Sequence, residues 1–118
     1  MSTEVFNPVT VEARIDAVSS DIVDMVKPCD DALVAFLKAD AAYDLAFAKA
    51  YMAYQGPQAE KRYAAEIATE NQRRDRDIAY AASKRADRNA RALESRLTGL
   101  QTIGKSVNAA YNAAGSYR

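Results

Sequence analysis

From Val11 onward the apolar residues recur in steps of four and three: Val11, Ile15, Val18, Ile22 and Met25. That spacing puts them on one face of a helix. Leu33, Phe36, Tyr43, Phe47, Ala50 and Tyr54 carry a heptad-like stripe further, interrupted by Asp40. Toward the other end, Leu93, Leu97, Leu100, Val107 and Tyr111 form a similar stripe with Gly104 inside it. Between Thr69 and Arg91 the large apolar residues thin out to Ile78 and Tyr80 among alanines. Nothing alternates with the period of a strand, and no internal repeat is evident.

The helix breakers divide this pattern. Pro8, Pro28 and Pro57 are the prolines, and Gly56, Gly99, Gly104 and Gly115 the glycines. Residues 29–55 and 58–98 contain neither and are rich in strong helix formers. Gly56-Pro57 fits a helix stop followed by proline at the start of the next helix. Asn7-Pro8 has the form of an N-cap followed by proline. The pattern therefore predicts helices over about 8–27, 29–55, 57–98 and 100–114, in one all-helical domain spanning 1–118. The fold class is all-α: a long antiparallel, coiled-coil-like helical hairpin that turns at Gly56-Pro57.

A hairpin makes a further demand. Partners across it must have residue numbers that add to a nearly constant value. Val11 with Ile103, Ile15 with Leu100, Val18 with Leu97 and Ile22 with Leu93 meet that condition, as do Phe36 with Ile78, Phe47 with Ile67 and Tyr51 with Tyr63. So do the opposite charges Asp16 and Arg96, Asp21 and Arg91, Asp24 and Arg88, Lys38 and Asp75, and Asp40 and Arg73. The first arm, residues 1–56, has four basic and nine acidic residues; the second, 57–118, has twelve and seven. Exposed pairs contribute only ~0–1 kcal/mol each, so they set register more than stability. Pro28 removes a hydrogen bond and costs roughly 3 kcal/mol inside a helix. The first arm is expected to kink or break there, and the nearly continuous heptad phase from Met25 to Phe36 favours the kink.

Composition narrows the function classes. The 118-residue chain has no histidine or tryptophan and a single cysteine, Cys29. It therefore offers no internal disulfide and no histidine-based or multi-cysteine metal site. Its formal charge is +0, so no global field draws it to nucleic acid or membrane. The start, Met-Ser-Thr-Glu-Val-Phe, is unlike a signal peptide, and no apolar run reaches the length of a membrane span. A soluble protein of the cytoplasm is expected, without a membrane partner; a place in a virion is the alternative. Much of the apolar count is alanine, which buries little area. A two-helix structure of this composition is expected to pair into a homo-oligomer.

No nucleophile–base pair, phosphate-cradling glycine loop, dinucleotide fingerprint or metal loop is present, and the chain is read as a non-enzyme with no cofactor, catalytic or metal residues. Cys29 lacks a histidine partner and reads as a small buried residue. Tyr43, Phe47, Tyr51, Tyr54 and Tyr63 read as core filler near the turn rather than as a stacking platform for bases. The basic residues Arg73, Arg74, Arg76, Lys84, Arg85, Arg88 and Arg91 are the candidate nucleic-acid contacts, since a helix face of this kind can track a phosphate backbone. The favoured reading is a solvated helix side partly neutralised by the acidic arm. Val107, Tyr111 and Ala114 continue past the reach of the first arm and are the candidate oligomer or partner interface.

The stretch from Ala41 to Val107 resembles a loosely defined group of small helical-hairpin proteins of bacteriophages and prophages. The residues that carry this are Ala41-Ala42-Tyr43-Asp44-Leu45-Ala46-Phe47, Gly56 before Glu60-Lys61-Arg62, Ala68-Thr69-Glu70, and Leu93-Glu94 through Leu97 to Leu100-Gln101. It covers a little over half of the chain and lies in pattern more than in motif. Such proteins come from early gene regions, near recombination and single-strand-annealing genes. The resemblance implies an accessory role in phage DNA metabolism in the host-cell cytoplasm and supplies no site residues. The expected function is that of an accessory or adaptor protein working by helical protein–protein contact, with a protein partner the sequence does not name. Direct nucleic-acid binding and a structural role in a virion are the alternatives.

Overall fold

The computed structural model describes residues 6–115, which are helical throughout apart from the turn and the chain ends, with no strand among them. Helix α1 spans Pro8–Ala53, a 3-10 turn covers Gln58–Glu60, α2 spans Lys61–Ala68 and α3 spans Glu70–Gly115. The architecture is a long antiparallel helical hairpin. Its first helix starts where Asn7-Pro8 places it. The Asn7 side-chain oxygen accepts from the Thr10 amide at 2.9 Å, and the Thr10 hydroxyl oxygen accepts from the Asn7 amide at 2.9 Å. This reciprocal cap satisfies donors that a helix start leaves open, and Pro8 follows at the position where its missing N–H costs nothing.

Three helix boundaries differ from those the sequence predicts. Pro28 lies inside α1, so the helix does not break there. The proline is on an exposed side, where the carbonyl of Asp24 that loses its donor is not sealed away from water. Gly99 does not end a helix either, and α3 runs through both Gly99 and Gly104. An isolated glycine costs only about 1 kcal/mol, too little to end a helix packed along its length. The interruption falls instead at Thr69, with φ −113° and ψ 21°. Its hydroxyl donates to the Ala65 carbonyl at 2.7 Å, and its amide donates to the same carbonyl at 3.1 Å. Such back-bonding bends a helix without ending it, and the Arg73 amide picks up the Thr69 carbonyl at 3.0 Å.

The chain divides into two compact units, one of Met1–Val26 with Arg88–Arg118 and the other of Lys27–Asp87. In the first, Val11, Val18 and Leu100 are buried, and Ile15, Ile22, Met25, Leu93, Leu97, Ile103 and Val107 are half-buried. A Cβ built on Gly104 would lie 3.3 Å from Val11 Cγ1 and 3.9 Å from Ile15 Cδ1, so the two helices approach closely at this glycine.

In the second unit the Cys29 thiol lies 3.5 Å from the Ala86 carbonyl, and the rings of Phe36 and Tyr80 are 5.4 Å apart. A step of seven forward along α1 is thus a step of six back along α3. The half-buried residues of α1 here are Cys29, Ala32, Phe36, Ala39, Asp40, Tyr43, Ala46, Phe47, Ala50 and Tyr51. On the other arm Ala65 and Thr69 are buried, and Gln72, Arg76, Ala79, Ser83 and Ala86 are half-buried at strict four-and-three spacing. Large side chains of α1 therefore meet small ones of α2 and α3.

Candidate functional site

That seam relocates the large apolar residues of the second arm. Ile67, Ile78 and Tyr63 are 76 %, 63 % and 66 % exposed. The expected pairings of Phe47 with Ile67, Phe36 with Ile78 and Tyr51 with Tyr63 are therefore absent, and Tyr63 is not core filler. Alanines and serine take those places, so the helices come close and the bulky residues turn outward. Tyr43, Phe47 and Tyr51 do form a ladder, with ring centroids 6.1 Å and 6.3 Å apart. Cys29 is half-buried rather than buried.

The turn is held by short-range contacts. The Tyr54 hydroxyl donates to Glu60 Oε2 at 2.7 Å, and the Gln58 side-chain amide donates to the Tyr51 hydroxyl at 3.3 Å. The Lys61 ammonium lies 5.3 Å from the Tyr51 ring centroid. The hydrogen bond to Glu60, followed by burial and the carboxylate charge, holds the Tyr54 phenol above its ordinary pKa. Gly56 has no positive φ and is not a left-handed cap. It is small because the Tyr54 ring lies over it, only 2.6–2.8 Å from where a Cβ would be.

The charges pair along the arms. Lys27 meets Asp31 at 2.8 Å, Arg62 meets Glu66 at 3.2 Å and Arg74 meets Glu70 at 3.1 Å, each one helical turn apart. Among the described residues no ion pair joins Asp16 to Arg96, Asp24 to Arg88, Lys38 to Asp75 or Asp40 to Arg73. Most of these side chains are exposed, whereas Asp40 is half-buried beside Arg76, Asp77 and Tyr80.

The basic residues singled out by sequence do not act as one set. Arg76 turns into the seam, its guanidinium 4.4 Å from the Tyr43 ring centroid and 3.2 Å from Asp77. Arg73, Arg74, Lys84 and Arg85 are exposed in the second unit, and Lys84 sits 5.5 Å from the Tyr80 ring centroid. Arg88 and Arg91 are exposed in the first unit. Of the expected interface residues, Val107 is half-buried, whereas Tyr111 and Ala114 are exposed near the end of α3.

One face of the second unit was not anticipated. Cys29, Asp30 and Leu33 of α1 line a groove with Ser83, Lys84 and Asp87 of α3. Phe36 and Asp40 line another with Arg76, Asp77 and Tyr80. The Phe36–Tyr80 ring contact separates them. The apolar residues that stay uncovered here are Leu33, Leu37 and Tyr80, at 49 %, 55 % and 50 % exposure. The sequence signal for this face is the pair Leu33 and Leu37 one turn apart, flanking the Cys29–Phe36 seam rather than lying in it.

Among the described residues no group of His, Cys, Asp or Glu side chains is placed to hold a metal ion, and no helix is long and apolar enough to cross a membrane. Comparison with protein-family models, curated proteins and solved structures gave no match.

Proposed function

We propose that this chain is a non-enzymatic adaptor working through contacts between helix faces, of the phage-type accessory kind its sequence resemblance implies. The observation that carries the reading is the outward position of large apolar side chains on both arms, Leu33 and Leu37 on α1 and Ile67, Ile78 and Tyr80 on the other arm. A helix that has only one neighbour buries a single stripe, and a second apolar stripe calls for another protein surface. Such an adaptor acts as an oligomer, possessing no chemistry of its own.

Nucleic-acid binding is the second reading. It is favoured by one specific observation: Arg73, Arg85 and Arg88 are exposed, and the acidic arm does not neutralise Arg73 or Arg88. Size-exclusion chromatography with light scattering, on the protein alone and premixed with a single-stranded oligonucleotide at physiological salt, separates the two. The adaptor reading expects a discrete species above the 12.9 kDa monomer that ignores the DNA. Co-elution with DNA, lost on changing Arg73, Arg85 and Arg88 to alanine, would reverse the ranking.

A further inference from the structure

We propose that the outer face of α1 between Val34 and Met52 pairs with the same face of a second copy of this chain, the two α1 helices running parallel about a two-fold axis that lies along them. The inference rests on the adaptor reading and deepens it by naming one face and its occupant. Val34, Leu37, Ala41, Leu45, Ala48 and Met52 follow one another in steps of three and four, and all are exposed. The large ones among them are 48–78 % exposed. The seam residues Phe36, Tyr43 and Ala50 lie half a turn away around the same helix. In this unit α1 is thus apolar on two opposite sides, and the other arm covers one of them.

Charge chooses the occupant. At about 100° per residue, Lys38 and Lys49 fall on one flank of the stripe and Asp30 and Asp44 on the other. The remaining charges of α1 in this unit leave that division intact. Asp31 lies on the lysine flank but is taken up by Lys27 at 2.8 Å. Asp40 lies on the aspartate side and is half-buried in the groove lined by Arg76, Asp77 and Tyr80. A stripe with one basic and one acidic flank complements itself under a two-fold along the helix, which lays the lysine flank of each copy on the aspartate flank of the other. It is the isologous contact of a closed dimer. Asp44 and Lys49 bracket Leu45 and Ala48, the spacing at which the helices of a parallel pair exchange charges, so each faces the other residue of the second copy. The antiparallel alternative, a two-fold at right angles to the helices, returns each flank to itself. With Ala41 set on Leu45 it brings Lys38 against Lys49 and Asp44 against Asp44. Packing accepts either arrangement, since the antiparallel one sets leucines on alanines and the parallel one stacks each residue on its own copy. The like-charge contacts decide between them.

The test uses the full chain, followed by sedimentation equilibrium at low salt. Asp44→Lys and Lys49→Asp each place like charges together twice across the two-fold, and each is expected to raise the dimer Kd roughly tenfold or more. In a mixture of the two single variants, opposite charges meet again at both contacts, and a heterodimer close to wild-type affinity is expected. Neither chain carries the compensating substitution, so recovery on mixing cannot arise within one chain. A mixture no tighter than its components overturns the proposal. Orientation is read separately from Ala48→Cys in a Cys29→Ser background. Position 48 meets its own copy in the parallel pair and should form a disulfide-linked dimer on mild oxidation. The antiparallel pair holds the two positions about 15 Å apart, and failure to crosslink overturns the proposal. Leu37→Glu with Leu45→Glu is expected to yield a monomer that keeps its helical circular dichroism. An oligomer that survives this double substitution overturns the proposal and leaves the adaptor reading to another face. A wild-type chain that is monomeric at every concentration overturns both.

Discussion

Tyr54 is the residue on which the turn depends most visibly. Its hydroxyl reaches Glu60 across the bend, and its ring covers Gly56. The phenol donates only while protonated, and its pKa is raised above the ordinary 10.0, chiefly by that hydrogen bond. A raised folded-state pKa means that its stabilisation is complete below the ordinary value and is lost as pH climbs through the raised one. The difference in tyrosinate absorbance between the wild type and Tyr54→Phe isolates this titration from the other tyrosines. Its midpoint is expected above 10.0 and should return to the ordinary value in Glu60→Ala; a wild-type midpoint at or below 10.0 contradicts the contact. The turn itself was legible in Gly56-Pro57. The reason for the glycine was not, because a helix-stop glycine usually serves a positive φ, and here it makes room for a neighbouring ring.

At the scale of the helices, the seam of α1 could be read directly, because Val11, Ile15, Val18, Ile22 and Met25 are large and regularly spaced. The seam of the second arm could not. Its members Ala79, Ser83 and Ala86 carry little hydrophobic signal, whereas Ile67 and Ile78 draw the eye and lie outside it, and Tyr80 flanks it with its ring against Phe36. The phase was nevertheless present: stepping back from Leu100, Leu97 and Leu93 by threes and fours leads to Ala90, Ala86, Ser83 and Ala79. The same phase separates two glycines of α3. Gly99 has open space around the position of a Cβ, but Gly104 faces the buried, stiff Val11 at 3.3 Å. Gly99→Ala should therefore stabilise the fold by the full helix-propensity gain, about 0.5–1 kcal/mol. Gly104→Ala should gain less or lose, since Val11 must shift to admit the methyl group. Thermal unfolding of the two variants checks this; a larger gain at Gly104 would mean that the close approach is absent.

For the whole chain, the question is which molecule supplies each arm. A closed hairpin and a domain-swapped dimer share nearly every α1–α3 contact and differ only at the turn. The turn argues for closure. Tyr54 to Glu60, Gln58 to Tyr51 and Lys61 over Tyr51 all join residues six to ten positions apart, and they span the bend at residues 54–57. A swap would require that bend to open and these contacts to be lost, with no new contact in exchange. The first unit offers the place to test it, because a Cβ on Gly104 would lie 3.3 Å from Val11 Cγ1, the branch a cysteine sulfur at position 11 would replace. With Cys29→Ser to remove the native thiol, Val11→Cys and Gly104→Cys should oxidise to a crosslink within one chain, running as a monomer on a non-reducing denaturing gel. Closing so long a loop should also raise stability, by up to about 4 kcal/mol in the chain-entropy account. A covalent dimer instead would mean that α1 docks on another copy's α3.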